Sequence, residues 1–313
     1  MEKHRFLTAV LGLVLSVGEV ANICAQQTPA TSGVPTHLVV TVEPRKGNTT
    51  PVVNREDVMV FEGRDRDQVL DWVATQGDQA ALELFILLDD GAGVDLGSQL
   101  DEIRKFIEAQ PPSAKVGVAY MQDGTARIAQ TLTTDHVQAG KSLRLPVGEG
   151  VNASPYFSLS DLIKRWPDTT ARRAVLMVSD GIDRYNDNGD LQDPYVDAAI
   201  DDALRNGIVV SAIYNPNVGH YGHSYWQTHW GQIFLSQVTD QTGGEAYDIG
   251  FGPAVSFAPY LKDFANRLSH QYLLTFLAKP EKKAGWKKIR VTTEVHNVDL
   301  VSAGKVYVSA EAK

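Results

Sequence analysis

The sequence predicts an α/β protein: a doubly wound, mainly parallel sheet flanked by a small β unit that draws strands from both ends of the chain. Three observations carry this. Residues 82–88 are an unbroken apolar run, as a strand covered on both faces requires. From there to about residue 270, strand-like and helix-like segments alternate, the pattern of a parallel sheet wrapped by helices. At the two chain ends, strand-like segments follow one another with no helix between them.

The first 25 residues read as an export signal. Lys3 and Arg5 supply a positive start, and residues 6–18 are an apolar run too short to cross a bilayer. Cleavage after Ala25 is expected, leaving a mature chain with no transmembrane segment, exported to the periplasm or the extracellular space. The only cysteine, Cys24, falls inside that signal, and Ile23 stands where a lipoprotein anchor needs a small residue. Without thiols, the mature protein must be stabilised by burial, and 43% hydrophobic residues over 313 positions suffice for it. The net charge of −9 argues against nucleic acid as a partner, because such binding needs clustered positive charge.

Residues 26–80 form a polar linker and an N-terminal β unit, with strand-like runs at 37–42, 57–61 and 69–73. The doubly wound domain is expected over 81–270. After the strand at 82–88, Asp95 is placed to cap a helix that carries Leu96, Leu100, Ile103 and Ile107 on one face and stops before Pro111 and Pro112. Asp123 and Gly124 form the turn of a hairpin between 115–121 and 125–132. Core strands follow at 174–179 and 208–213. Asp193 and Pro194 open a helix with Val196, Ile200 and Ala203 inward, and Gly207 ends it. A last helix shows Phe257, Leu261, Phe264 and Leu268 at helical spacing. Residues 271–313 supply strands expected to pack with the N-terminal unit.

Two core strands end in acidic residues followed by glycine: Asp89 and Asp90 before Gly91, and Asp180 before Gly181. In a doubly wound sheet, ligands meet the carboxyl ends of strands where the strand order reverses, and both aspartates are candidates for that position. A plainer role, capping the next helix, is open to each alone.

The order and spacing of these segments resemble the von Willebrand factor type A (vWA) domain family, a Rossmann-like fold. The run from Asp89 to Gly93 aligns with the DxSxS motif of the family's metal-ion-dependent adhesion site, and Asp180 with Gly181 aligns with its later Asp-Gly turn. More closely, the chain resembles secreted bacterial vWFA-related proteins, through the 57–63, 242–247 and 286–291 stretches. The resemblance implies an exported, non-enzymatic protein in an adhesion or scaffold role, recognising its partner at the strand-end loops. Asp89 and Asp180 would be the metal ligands. Gly91 and Gly93 stand where the family places serine hydroxyls, so the site is expected to be degenerate: no cofactor, and at most weak Mg²⁺ or Mn²⁺ binding.

The partner-binding set is therefore Asp89, Asp90, Gly91, Gly93, Ser154, Asp180, Gly181, Asp183, Tyr221 and Trp226, with an unidentified protein or envelope polymer as partner. Without a metal, the clustered aspartates invite a proton, a water network or a basic group such as Arg184 to settle the site, and Asn152 and Ser158 are further oxygen donors. His220, His223 and His229 match no common zinc spacing and read better as part of an aromatic contact surface. Residues 187–190 resemble part of a calcium loop without its later glutamate and read as a turn. A cell-envelope structural or assembly factor is the alternative function. A divalent-metal-dependent hydrolase comes third, since the sequence holds no G-x-S-x-G, Walker A or H-E-x-x-H signature.

Overall fold

The computed structural model describes residues 33–47, 49–76, 81–91, 96–148, 154–183, 192–216, 225–248 and 255–310. The expected export signal with Cys24, and Gly93, Asp95, Asn152, Arg184, residues 187–190, His220, Tyr221 and His223, lie outside them. The chain begins with β1 (Val34–Pro44) and a hairpin of β2 (Val58–Glu62) and β3 (Asp65–Ala74). The central part runs β4 (Leu82–Asp89), α1 (Gly97–Glu108), β5 (Ala114–Gln122), β6 (Thr125–Thr133), α2 (His136–Lys141), α3 (Pro155–Lys164) and β7 (Arg172–Ser179). It continues through α4 (Pro194–Arg205), β8 (Ile208–Tyr214), α5 (Tyr225–Thr242), β9 (Ala246–Asp248) and α6 (Ala258–Ser269). The last strands are β10 (Gln271–Ala278), β11 (Gly285–Lys288), β12 (Arg290–Thr293), β13 (Val298–Ser302) and β14 (Lys305–Val308).

The larger sheet has the order β6-β5-β4-β7-β8-β9. All its neighbours pair in parallel except β6, which folds back on β5 through the turn predicted at Asp123 and Gly124. Both turn residues have positive φ, 50° and 70°, as a two-residue hairpin loop matched to strand twist requires. Counted from β4, the order is 3-2-1-4-5-6, the doubly wound arrangement, and it reverses at β4.

Every residue of β4 is buried, which explains its unbroken apolar run. Leu84, Ile86 and Leu88 join one core with α1 and α6, while Phe85 and Leu87 join a second with α3, α4 and α5. Among the described residues no helix is long and apolar enough to cross a membrane.

The second six-stranded sheet has the order β12-β2-β3-β10-β1-β13, wholly antiparallel, so strands from residues 34–74 interleave with strands from 271–302. A hairpin such as β2-β3 has too little apolar surface to stand alone. Here Val58 and Val60 pack with Val40, Leu274 and Phe276 in a third core. Arg267 of α6 bridges toward this sheet, with Nη1 2.7 Å from Glu43 of β1 and 3.0 Å from Glu245.

Two boundaries differ from the sequence reading. Asp57, placed in a strand, instead closes a short turn, where its Oδ2 accepts the Asn54 N–H at 3.0 Å, and β2 starts one residue later. The first helix begins at Gly97, and the residue at its cap is Leu96, which offers no side-chain acceptor.

Candidate functional site

The strand order brings the two acidic strand ends together. β4 and β7 are direct neighbours, so Asp89 lies beside the Ser179 and Asp180 pair at the reversal. Asp89 is buried, and its carboxylate holds both ends in place: Oδ1 accepts the Gly91 N–H at 2.9 Å and Oδ2 accepts the Ser179 hydroxyl at 2.8 Å. The Ser179 oxygen accepts in turn from the Gly181 N–H at 3.1 Å. Asp180 Oδ1 takes the Ile182 N–H at 2.9 Å, a local turn of the kind that aspartate at a strand end favours.

Gly181 has φ +73°, and a Cβ there would run into the Gly231 carbonyl and come within 2.7 Å of Leu235. A side chain at this position would push α5 off the end of β7.

Asp90 has a different role. It is 0% exposed, and both its oxygens are held by Arg144, whose Nη1 lies 2.6 Å from Oδ1 and Nη2 2.8 Å from Oδ2. The Val147 N–H and the Gln122 amide complete its shell at 3.0 Å and 3.2 Å. The Arg144 guanidinium also lies 3.9 Å from the centre of the Tyr120 ring. The pair raises the Arg144 pKa, chiefly through its hydrogen bonds to Asp90. Asp90 therefore clamps the 144–148 segment onto the end of β4.

Asp183 is buried close by, and Asp193 caps α4, accepting from Tyr195 N–H at 2.8 Å. Tyr156 of α3 is wholly buried and donates its hydroxyl to the Gly181 carbonyl at 2.8 Å. Burial first, and then the charges of Asp183, Asp180 and Asp193, raise its pKa well above the ordinary value. Ser154 sits at the start of α3, fully buried, with no hydrogen-bond partner for its hydroxyl among the described residues. Ser158 spends its hydroxyl on the Thr125 carbonyl at 3.2 Å.

Trp226 stands 63% exposed in the first turn of α5, beside exposed Tyr225, whose ring stacks on His229. Nine large hydrophobic side chains are exposed among the described residues, and five of them, Leu145, Val147, Tyr225, Trp226 and Val255, belong to this end of the sheet. Leu145 and Val147 sit in the segment clamped by Asp90, and the others follow β8 and β9 in the chain. Tyr and Trp side chains in particular concentrate at contact surfaces. Among the described residues no group of three or more His, Cys, Asp or Glu side chains is arranged to hold a metal ion.

Arg144, Gln122, Ser179 and Tyr156 were not among the residues singled out from the sequence. Arg144 lies 54 positions from Asp90, with nothing local to connect them. Ser179 was the readable one, since it directly precedes Asp180 at a strand end.

The strand order and the paired carboxylate ends define a doubly wound α/β protein with its candidate site at the topological reversal. No family profile matches the chain, and no curated protein matches its sequence. Solved structures similar to it include an aerotolerance-related membrane protein from Bacteroides fragilis, 15% identical with a TM-score of 0.45, which aligns over 60% of this chain and 98% of its own. The vWF domain of the type V pili tip protein Mfa5 from Porphyromonas gingivalis is 10% identical with a TM-score of 0.40, over 60% of this chain and 93% of its own. The VWA domain of SpRpn10 is 16% identical with a TM-score of 0.39, over 59% and 94%.

Proposed function

We propose that this chain is an exported binding protein, acting in adhesion or as a scaffold, that receives another macromolecule on the loops at the carboxyl edge of its larger sheet. The observation that carries this reading is the set of five exposed hydrophobic side chains around the strand ends, above Asp89 and Asp90 carboxylates that are held by internal hydrogen bonds. The rigid base presents apolar side chains to solvent at the place where this fold class takes ligands.

The metal chemistry implied by the family resemblance fits these residues poorly. Mg²⁺ needs six oxygen ligands in near-octahedral array. Asp89 already accepts two hydrogen bonds, and Asp90 is engaged on both oxygens by Arg144. Gly91 offers an N–H to the carboxylate where a hydroxyl would be needed. The reading is therefore of a degenerate adhesion site that works through shape and apolar contact, without catalysis. The sheet formed from both chain ends serves as a second, supporting layer.

An envelope-assembly role through the C-terminal strands has less support, because Trp286 is half-buried against Tyr307 and under the Arg205 guanidinium. The two readings separate in a binding experiment with the exported chain and an envelope extract. Capture of a partner in EDTA that Trp226→Ala weakens about tenfold, as loss of a central contact does, and that Trp286→Ala leaves intact, is the expected result. Capture that depends on Trp286 alone would overturn it. Recovery of a native chain that starts near Gln26 from outside the cytoplasm tests export.

A further inference from the structure

At the opposite, amino-terminal edge of the larger sheet lies a cleft of about 700 Å³, inside the unit spanning Ser32–Lys313. Its volume falls in the range of small-molecule sites. One wall is the start of β7 and β8 with the end of α4, and another is the second sheet, through β1, β3 and β10. The register of those strands sorts that wall into cross-strand rows. Val39, Leu273 and Val73 are aligned in one apolar row, and His37, Thr275 and Asp71 in a polar one.

The charge of this cleft runs against that of the molecule. The chain carries a net charge of −9, yet the lining contains Arg172, Arg173, Arg205 and Lys305 against the single carboxylate of Asp71. Lys305 is paired with Asp201 at 2.9 Å, and Arg205 lies 4.0 Å over the Tyr307 ring, but neither Arg172 nor Arg173 forms an ion pair among the described residues.

Arg172 is only 8% exposed. Its Nη1 donates to the Leu268 carbonyl at 2.7 Å and to the Gln271 side chain. Its Nε is buried with no protein partner, as is Nη1 of Arg173. Burial alone brings the Arg172 pKa down to about 10, with no carboxylate to offset it, so the group is still a cation at neutral pH. A buried, unpaired charge is expensive, and a fold tolerates it where an outside counter-charge is supplied. With Nη1 tied to the protein, the remaining side of the guanidinium fork is Nη2 with the buried, unpartnered Nε, and the shape of that side matches the two oxygens of a carboxylate or phosphate.

We propose that this cleft binds a small organic oxyanion, a carboxylate or phosphate carried on an apolar body, with the charged group on Arg172 and the apolar part along the Val39, Leu273 and Val73 row. Arg173 and Arg205 add positive charge around it, while Lys305 is already neutralised by Asp201, and Glu83 and Asp168 partly offset Arg173. This site is separate from the carboxyl-edge surface and does not depend on the function proposed for it.

Calorimetric titration of the intact chain in chloride buffer tests the inference, with hexanoate as the carboxylate probe and phenyl phosphate as the phosphate probe, each set against its neutral analogue, hexanol or phenol. The expected result is saturable one-to-one binding of at least one anion, no comparable binding of its neutral analogue, and a loss of about tenfold or more in affinity in Arg172→Lys, which keeps the charge but removes the fork. Because Arg172 also supports Leu268 and Gln271, Arg173→Gln provides a second reading, and it should weaken binding through loss of charge. Which anion binds distinguishes a carboxylate ligand from a phosphate one. The inference is overturned if neither anion binds at about 10 mM, a very weak limit. Neutral analogues that bind equally, or anion binding that both variants leave unchanged, would overturn it as well.

Discussion

Replacing Arg144 by methionine keeps most of the side-chain volume and removes the partner of a fully buried carboxylate. Asp90 then retains only the Val147 N–H at 3.0 Å and the Gln122 amide at 3.2 Å. Removing one member of a buried ion pair costs about 3–5 kcal/mol when the remaining charge stays dry. The Arg144 side chain is 43% exposed, so water reaches the vacated position, and the lower end of that range, about 3 kcal/mol, applies. Loss of the cation over the Tyr120 ring contributes a further ~0.5 kcal/mol. At roughly 2–4 °C per kcal/mol for a chain of this size, the combined loss of about 3.5 kcal/mol should lower melting by about 7–14 °C, measured by circular dichroism alongside urea unfolding. Adding Asp90→Asn removes the stranded charge, so the double variant should be less destabilised than the sum of the two single changes, by about 2 kcal/mol. A loss below ~1 kcal/mol in Arg144→Met, or strict additivity, would refute the account of Asp90 as a buried clamp.

Other substitutions probe the supporting structure. Asp67 of β3 is buried, and its pKa is pushed up to about 6, first by burial and then by neighbouring Glu62. Its folded value lies above the usual 3.8, so its contribution is fully favourable below that pH and is lost as pH rises through about 6. Asp67→Asn should therefore stabilise the protein at pH 7 by roughly 1–3 kcal/mol and flatten the stability profile between pH 4 and 6, as urea unfolding at several pH values would reveal. An unchanged profile would contradict the buried setting of Asp67. Gly181→Ala should cost about 3 kcal/mol or more, because the new methyl meets backbone of α5 at a positive φ; a variant with wild-type melting would contradict that packing.

What could be read from the sequence was set by local chemistry. The β4 run, the Asp123 and Gly124 turn and the Asp193 cap each depend on a few adjacent residues, and the structure contains all three. Asp89 and Asp180 were legible as strand-end carboxylates that would converge if both strands lay centrally, and the strand order brings the two ends together. The partner of Asp90 did not follow, because the 144–148 segment docks by tertiary contact and carries no periodicity. Arg172 was equally hidden: it heads an apolar strand, and only the meeting of two sheets turns it into a buried cation. The β-branched residues after Asp57 point to a strand, but its side chain competes for the local backbone and closes a turn.

On the proposed function, the carboxyl edge works by contact, without a metal completing its shell. Calorimetric titration of Mg²⁺ and of Mn²⁺ into the intact chain, with Asp89→Ala as control, tests it most directly. The account predicts no saturable heat and no change in melting temperature at millimolar metal, because a ligand stabilises a fold only when its concentration exceeds its dissociation constant. Saturable binding with a dissociation constant below about 0.1 mM, abolished by Asp89→Ala, would contradict it and make metal-mediated adhesion the mechanism.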